Sequence, residues 1–159
     1  MWRPLADAAL AAPAVVGRGG LELELTVSSR LDPEVSRFTE REWAVVDHDR
    51  YGELRPEDLA VTARRDGQVV GVAGGWTSGA SVYLADLVVG AAQRREGIGG
   101  QLVAAFLSEA AVRGCRLARV RTEAGGPAMS FWHRLGWVEE AHFDAFTLDR
   151  DVVQLRRAL

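Results

Sequence analysis

The sequence predicts an α/β protein on one mixed sheet of six to seven strands, and four stretches carry that prediction. Residues 82–89, VYLADLVV, are apolar on both faces apart from Asp86 and rich in Val and Leu, the pattern of a central strand. Beyond a loop holding Arg94, Arg95, Gly97, Gly99 and Gly100, the apolar residues Leu102, Val103, Phe106, Leu107 and Ala110 fall at helical spacing. Gly114 follows where a left-handed C-cap would sit. Residues 116–122 form the next strand, parallel to 82–89 because a helix crosses between them. Ahead of the central strand, 59–64 and 68–76 flank Asp66-Gly67, a dipeptide suited to a type I′ hairpin, so three strands make an antiparallel meander.

The remaining elements follow in order. Residues 21–27, LELELTV, alternate with period two and read as a half-buried strand. Asp32 offers an N-cap, Pro33 a first-turn residue and Glu34 a charge favourable to the helix dipole. The helix they start is expected to bury Val35, Phe38 and part of the 43–46 cluster, and to end in a polar loop at 47–52. Gly71, Gly74 and Gly75 weaken the second meander strand unless a close neighbour or a bulge requires them. Gly125-Gly126-Pro127 breaks the chain before a short helix over 128–135, which Gly136 ends, and two closing strands complete the chain.

At 159 residues with 48% hydrophobic content, the chain can bury one sizeable core, and residues 21–159 read as one domain behind a weakly ordered extension at 1–20. The net charge of −3 provides no global field towards nucleic acid or an anionic membrane, and no apolar run reaches membrane-spanning length. A single cysteine, Cys115, has no partner for an intrachain disulfide or a structural zinc site, which fits a reducing cytoplasm. His48 between Asp47 and Asp49 lacks the spacing of a metal site, so no metal is expected.

Glycines at a helix start let backbone N–H groups approach a phosphate or pyrophosphate, and the helix dipole favours the anion. Two familiar phosphate loops are excluded. The chain has no lysine for a Walker A loop, and position 102 is Leu where a dinucleotide fingerprint needs its third glycine. Arg94-Arg95-Glu96-Gly97-Ile98-Gly99 instead resembles the Arg/Gln-x-x-Gly-x-Gly/Ala signature of the GNAT N-acetyltransferase superfamily. A second block, Ala128-Met129-Ser130-Phe131-Trp132-His133-Arg134-Leu135-Gly136-Trp137, is similar to that family's Ala-x-x-Phe-Tyr-x-x-x-Gly-Phe helix and turn.

All 19 basic residues are arginine, which fits a high-GC, bacterial genome, and the resemblance implies an acetyl-CoA-dependent N-acetyltransferase acting on a primary amine of a small molecule or protein. It implies a sheet with a splay between two parallel strands and helices on both faces. Acetyl-CoA would lie along the backbone of Leu87, Val88 and Val89, with its pyrophosphate on the loop formed by Arg94, Arg95, Glu96, Gly97, Ile98, Gly99 and Gly100. The first helix and its loop would border the acceptor site, which singles out Trp43, Asp47, His48, Asp49 and Tyr51; their acidic character favours a cationic amine. No nucleic-acid or membrane partner is expected, and a homodimer fits the family. The chain departs from the family at Trp132, where a tyrosine usually protonates the departing sulfur. An indole N–H is a donor but no usable acid. Trp132 is therefore read as a wall near the acyl group, with Tyr83, Ser130 and His133 as other donors and a weakened or inactive CoA-binding module as the alternative. For the base, Asp86 stands out as the one charge in an apolar strand, where burial would raise its pKa, and Glu123 at the end of the next strand is second.

Overall fold

In the computed structural model, residues 14–16, 23–28, 30–51 and 56–159 are described. The chain divides into two compact units, Met1–Glu53 and Leu54–Leu159. In the first unit, β1 (Ala14–Val16) pairs antiparallel with β2 (Leu23–Leu25), so the strand expected over 21–27 is three residues long. Most of the expected extension at 1–20 lies outside the described residues.

Helix α1 (Pro33–Tyr51) starts as its sequence requires, with Asp32 Oδ1 accepting the backbone N–H groups of Glu34 at 2.8 Å and Val35 at 2.9 Å. Two expectations for this stretch do not hold. The helix runs through the polar loop expected at 47–52 as far as Tyr51, because no glycine or proline interrupts it after Pro33. Val35, Phe38, Trp43 and Val45 are exposed rather than buried.

The second unit is a six-stranded sheet in the order β3-β4-β5-β6-β8-β7. Its strands are β3 (Glu57–Arg65), β4 (Gln68–Ser78), β5 (Ser81–Val89), β6 (Leu117–Glu123), β7 (Val138–Thr147) and β8 (Arg150–Ala158). All neighbours are antiparallel except β5 and β6. The β3–β4 turn has φ of 51° at Asp66 and 79° at Gly67, the double left-handed geometry of a type I′ turn. Helix α2 (Ile98–Val112) crosses from β5 to β6. It ends in a Schellman arrangement, with the Cys115 N–H on the Ala110 carbonyl and the Gly114 N–H on the Ala111 carbonyl, around a left-handed Gly114. Helix α3 (Ala128–Arg134) is stopped by the left-handed Gly136.

Leu102, Val103, Phe106, Leu107 and Ala110 of α2 bury against one face of the sheet, which presents Ala73, Val82, Leu84, Ala118, Val120, Val153 and Leu155. Trp132 and Trp137 complete this core, their rings meeting edge to face at 5.3 Å. Burying a side chain of this kind contributes about 1.5–3 kcal/mol, so α2 is held by its apolar stripe rather than by its short-range preferences. The opposite face carries Trp76 stacked on Tyr83 at 4.9 Å, and Arg119, Arg121, Glu140 and Gln154 linked by side-chain hydrogen bonds. No helix among the described residues is long and apolar enough to cross a membrane.

Candidate functional site

The site begins with a flaw in strand pairing. β5 and β6 are registered only from Ser81↔Leu117 to Leu84↔Val120, after which β6 continues alongside β8 while β5 continues alongside β4. A bulge lies at the same level: Gly75 pairs with Leu84 and Gly74 with Asp86, leaving Ala85 unmatched. One extra residue reverses the side-chain alternation. Beyond it Leu87 and Val89 pack against the core, whereas Asp86 and Val88 face outwards. Gly75 is required here, because a Cβ would overlap the Tyr83 carbonyl oxygen across the bulge.

The backbone left over by this splay is identifiable. The Gly90 N–H bonds the Val70 carbonyl at 2.9 Å, so antiparallel alternation gives the Val88 amide and carbonyl to β4 and turns those of Leu87 and Val89 into the gap. Arg94 Nε donates to the Val89 carbonyl at 3.2 Å. The Leu87 amide and carbonyl and the Val89 amide therefore line the opening. Of the three strand residues expected to offer backbone, Val88 does not.

A single 3₁₀ turn, Ala91–Gln93, then leads into the glycine loop. Arg95 is left-handed at φ 67° and Gly97 at φ 82°, and Gly97 caps α2 with no side chain of its own. The first amides of α2 have no intrahelical acceptor and supply the partial positive charge of the helix start. Packing within the protein does not explain Gly99 and Gly100. A Cβ at Gly99 would stand 3.5 Å from the Phe131 ring, and one at Gly100 would stand 4.0 Å from Leu135, both ordinary contacts. Glycine at these positions leaves room for something outside the protein, which is what a pyrophosphate against the backbone needs.

These parts enclose a cleft of about 420 Å³ lined by Leu87, Val89, Arg94, Arg95, Gly97, Ile98, Gly99 and Gly100, eight of the ten residues expected to hold a cofactor. Val88 and Glu96 stand outside it. Glu96 is bound instead by Arg65 from the end of β3, Nη2 to Oε2 at 2.7 Å. Sequence reasoning missed Gln93, Arg134 and a lining role for Phe131. Phe131 and Arg134 are three residues apart on α3 and so share a helix face, a signal present in the sequence.

The expected catalytic residues are distributed differently from their sequence reading. Asp86 is exposed rather than buried, because the bulge turns it onto the outer face, and it has no ion pair with a described residue. Glu123 ends β6 beyond the last β5–β6 pair, also on the outer face, with Oε1 taking Arg150 Nη1 at 2.7 Å. Trp132 is 4% exposed, packs on Phe131 and Trp137, and does not line the cleft; Phe131 is the aromatic that does.

The other donors are also placed. Burial pushes the Tyr83 hydroxyl above its ordinary pKa, with Arg121 opposing. Ser130 donates to the Pro127 carbonyl, and His133 is exposed beside Glu139. Trp43, Asp47, His48 and Asp49 are exposed on α1, in the first unit, and Tyr51 ends that helix. An exposed cluster of His142, Asp144 and Asp151 lies on the β7–β8 hairpin, remote in sequence from His48.

Comparison with known proteins bears on this arrangement. The sequence model of the acetyltransferase (GNAT) family matches residues 23–137. A candidate acetyltransferase from Agrobacterium tumefaciens superposes with a TM-score of 0.75 at 26% identity, covering 86% of this chain and 100% of its own. A ribosomal-protein-alanine N-acetyltransferase from Brucella melitensis gives 0.56 at 26% identity, covering 76% of this chain and 78% of its own. An aminoglycoside 6′-N-acetyltransferase complexed with coenzyme A gives 0.60 at 19% identity, covering 80% and 92% respectively. Comparison with curated protein sequences finds no match. The splayed parallel pair, the glycine loop opening α2 and the matched sequence blocks make this chain a member of the acetyltransferase (GNAT) family.

Proposed function

We propose that the protein moves an acetyl group from acetyl-CoA directly to a primary amine of a small molecule or protein. The observation that carries this reading is the junction of the β5–β6 gap with a cleft whose glycines make room for a ligand rather than for protein. The α2 amides, with Arg94, Arg95 and Arg134, present positive charge to the pyrophosphate. Leu87 and Val89 offer backbone groups to the extended arm of the cosubstrate. When bound, acetyl-CoA supplies an activated thioester. A fixed amide in the gap, such as that of Val89, suits the negative charge that grows on an acyl oxygen under attack by an amine.

Strand alternation puts Leu87 and Val89, which line the cleft, on the inner face and Asp86, Arg121 and Glu123 on the outer face, at the two lips of the gap. The acceptor therefore enters from the outer face, and Asp86 or Glu123 takes the proton of its ammonium, directly or through water. A thiol has a reference pKa of about 8.5, so the thiolate can leave without a strong acid.

The experiment combines thermal unfolding with acetyl-CoA and thiol release with a panel of amines. At a hundredfold excess over Kd, linkage predicts about 2.7 kcal/mol of stabilisation. For a domain of this size that is roughly 5–10 °C. The shift should be lost in Gly99→Glu, and thiol should be released. Absence of any shift would overturn the reading. A shift without thiol release from any amine would favour the second reading, a CoA-binding interaction module, which the buried indole of Trp132 in place of the family's tyrosine supports.

A further inference from the structure

A further cavity, of about 340 Å³, lies between the end of β6 and the β7–β8 hairpin, and it shares Arg121 and Glu123 with the β6 side of the gap. Its lining includes Arg121, Glu123, Phe146, Leu148, Arg150 and Val152. The three charged groups do not cancel. Glu123 and Arg150 pair at 2.7 Å, which leaves Arg121. Its guanidinium carbon stands 5.1 Å from the centre of the Phe143 ring, 5.4 Å from Phe146 and 5.9 Å from Tyr83. Nε donates to Gln154 Oε1 at 3.2 Å, and no carboxylate among the described residues pairs with the group.

Arg119, two residues earlier on the same face, is the contrast. It is closed off by a two-pronged bond to Glu140, Nε at 2.8 Å and Nη2 at 3.0 Å. Three rings and an amide thus hold Arg121 in place while its terminal N–H groups remain unengaged. A planar fork fixed in that way matches a carboxylate, and it loses little freedom on binding one.

We infer that the acceptor is a small amine carrying a carboxylate and an apolar side chain, an α-amino acid in its simplest form, with Arg121 binding the carboxylate. This rests on the acetyltransferase reading of the gap and reverses the sequence expectation of a cationic acceptor. Phe146, Leu148 and Val152 supply the apolar wall for the side chain. Arg121 immediately follows Val120, the last residue of β6 paired with β5, so the carboxylate is held at the mouth of the gap where the amine must arrive.

The test compares L-phenylalanine and L-leucine with their carboxamides, following thiol release from acetyl-CoA. A charge-assisted bidentate contact predicts that each acid exceeds its amide in kcat/KM by roughly ten- to a hundredfold. Arg121→Met, which keeps an apolar stem over the rings, should bring that ratio near one by raising KM for the acids, with KM for acetyl-CoA unchanged. Arg121→Lys should keep the charge and only part of the preference. Equal rates for acid and amide in the unaltered protein, or an unchanged ratio in Arg121→Met, would overturn the inference. Stabilisation by acetyl-CoA without acetylation of either member of a pair would also overturn it. No stabilisation by acetyl-CoA would instead overturn the reading of the cleft on which it rests.

Discussion

Replacing Gly75 by alanine tests whether the bulge creates the gap. The new methyl group would overlap the Tyr83 carbonyl oxygen and lie 2.9 Å from the Tyr83 carbonyl carbon and 3.1 Å from Leu84 Cα. All three are backbone atoms of the neighbouring strand, so no side chain can rotate away and the strands must part. Overpacking of this kind costs about 1–3 kcal/mol. Losing an adjacent ladder hydrogen bond adds about 1 kcal/mol, for a total of about 2–4 kcal/mol. At this chain length the melting temperature should fall by roughly 4–16 °C. Gly74→Ala on the same strand is the control: a Cβ there meets nothing within 4 Å, so the change should stay within about 0.5 kcal/mol. Thermal and urea unfolding measure both, and repeating the melts with acetyl-CoA reads the gap itself. Gly75→Ala should also show a smaller acetyl-CoA shift, since its bulge sets which way Leu87 and Val89 face. If the two variants have equal stability and equal acetyl-CoA shifts, the bulge does not set the site.

Two further outcomes follow from charge. Glu140 is held at about 2 rather than 4.5, first by the hydrogen bond from Arg119 and then by that from Gln154. A carboxyl depressed on folding contributes stability that is complete above about 4.5 and lost as the pH falls towards 2. After allowance for solvent screening, Glu140→Gln should cost about 1–2 kcal/mol at pH 7, with the deficit shrinking between pH 4.5 and 2 in urea titrations. Separately, Arg65 pairs with the loop's own carboxylate at 2.7 Å and so offsets a charge that would oppose a pyrophosphate in the proposed function. Arg65→Ala should raise Kd for acetyl-CoA about two- to fourfold, less at high salt, and Arg65→Ala/Glu96→Gln should restore it. Calorimetric titration decides, and equal binding by Arg65→Ala and the unaltered protein would remove Arg65 from the loop's electrostatics.

What was legible in the sequence was local. The Asp32 cap, the Asp66-Gly67 turn, the apolar stripe of α2 and the left-handed Gly114 and Gly136 each depend on residues within a few positions of one another, so periodicity and turn chemistry locate them. The glycine loop was legible for the same reason: it is made of consecutive residues that open α2. Six of its seven expected residues, all but Glu96, accordingly share one cleft.

Only the tertiary structure decided which strands pair and where pairing stops. β8 enters between β6 and β7, and nothing local in the two closing strands specifies that order. The unmatched Ala85 arises from the register of β4 against β5, and it sends Asp86 to the outer face although an unbroken strand would bury it. Arg121 and Arg119 look alike in the sequence, yet Glu140 closes one and three aromatic rings frame the other. The chain thus encodes its elements and its glycine loop through neighbours in sequence. Its gap, the orientation of its carboxylates and the framing of Arg121 by aromatic rings come from contacts between separate strands, whose register is set only when the sheet assembles.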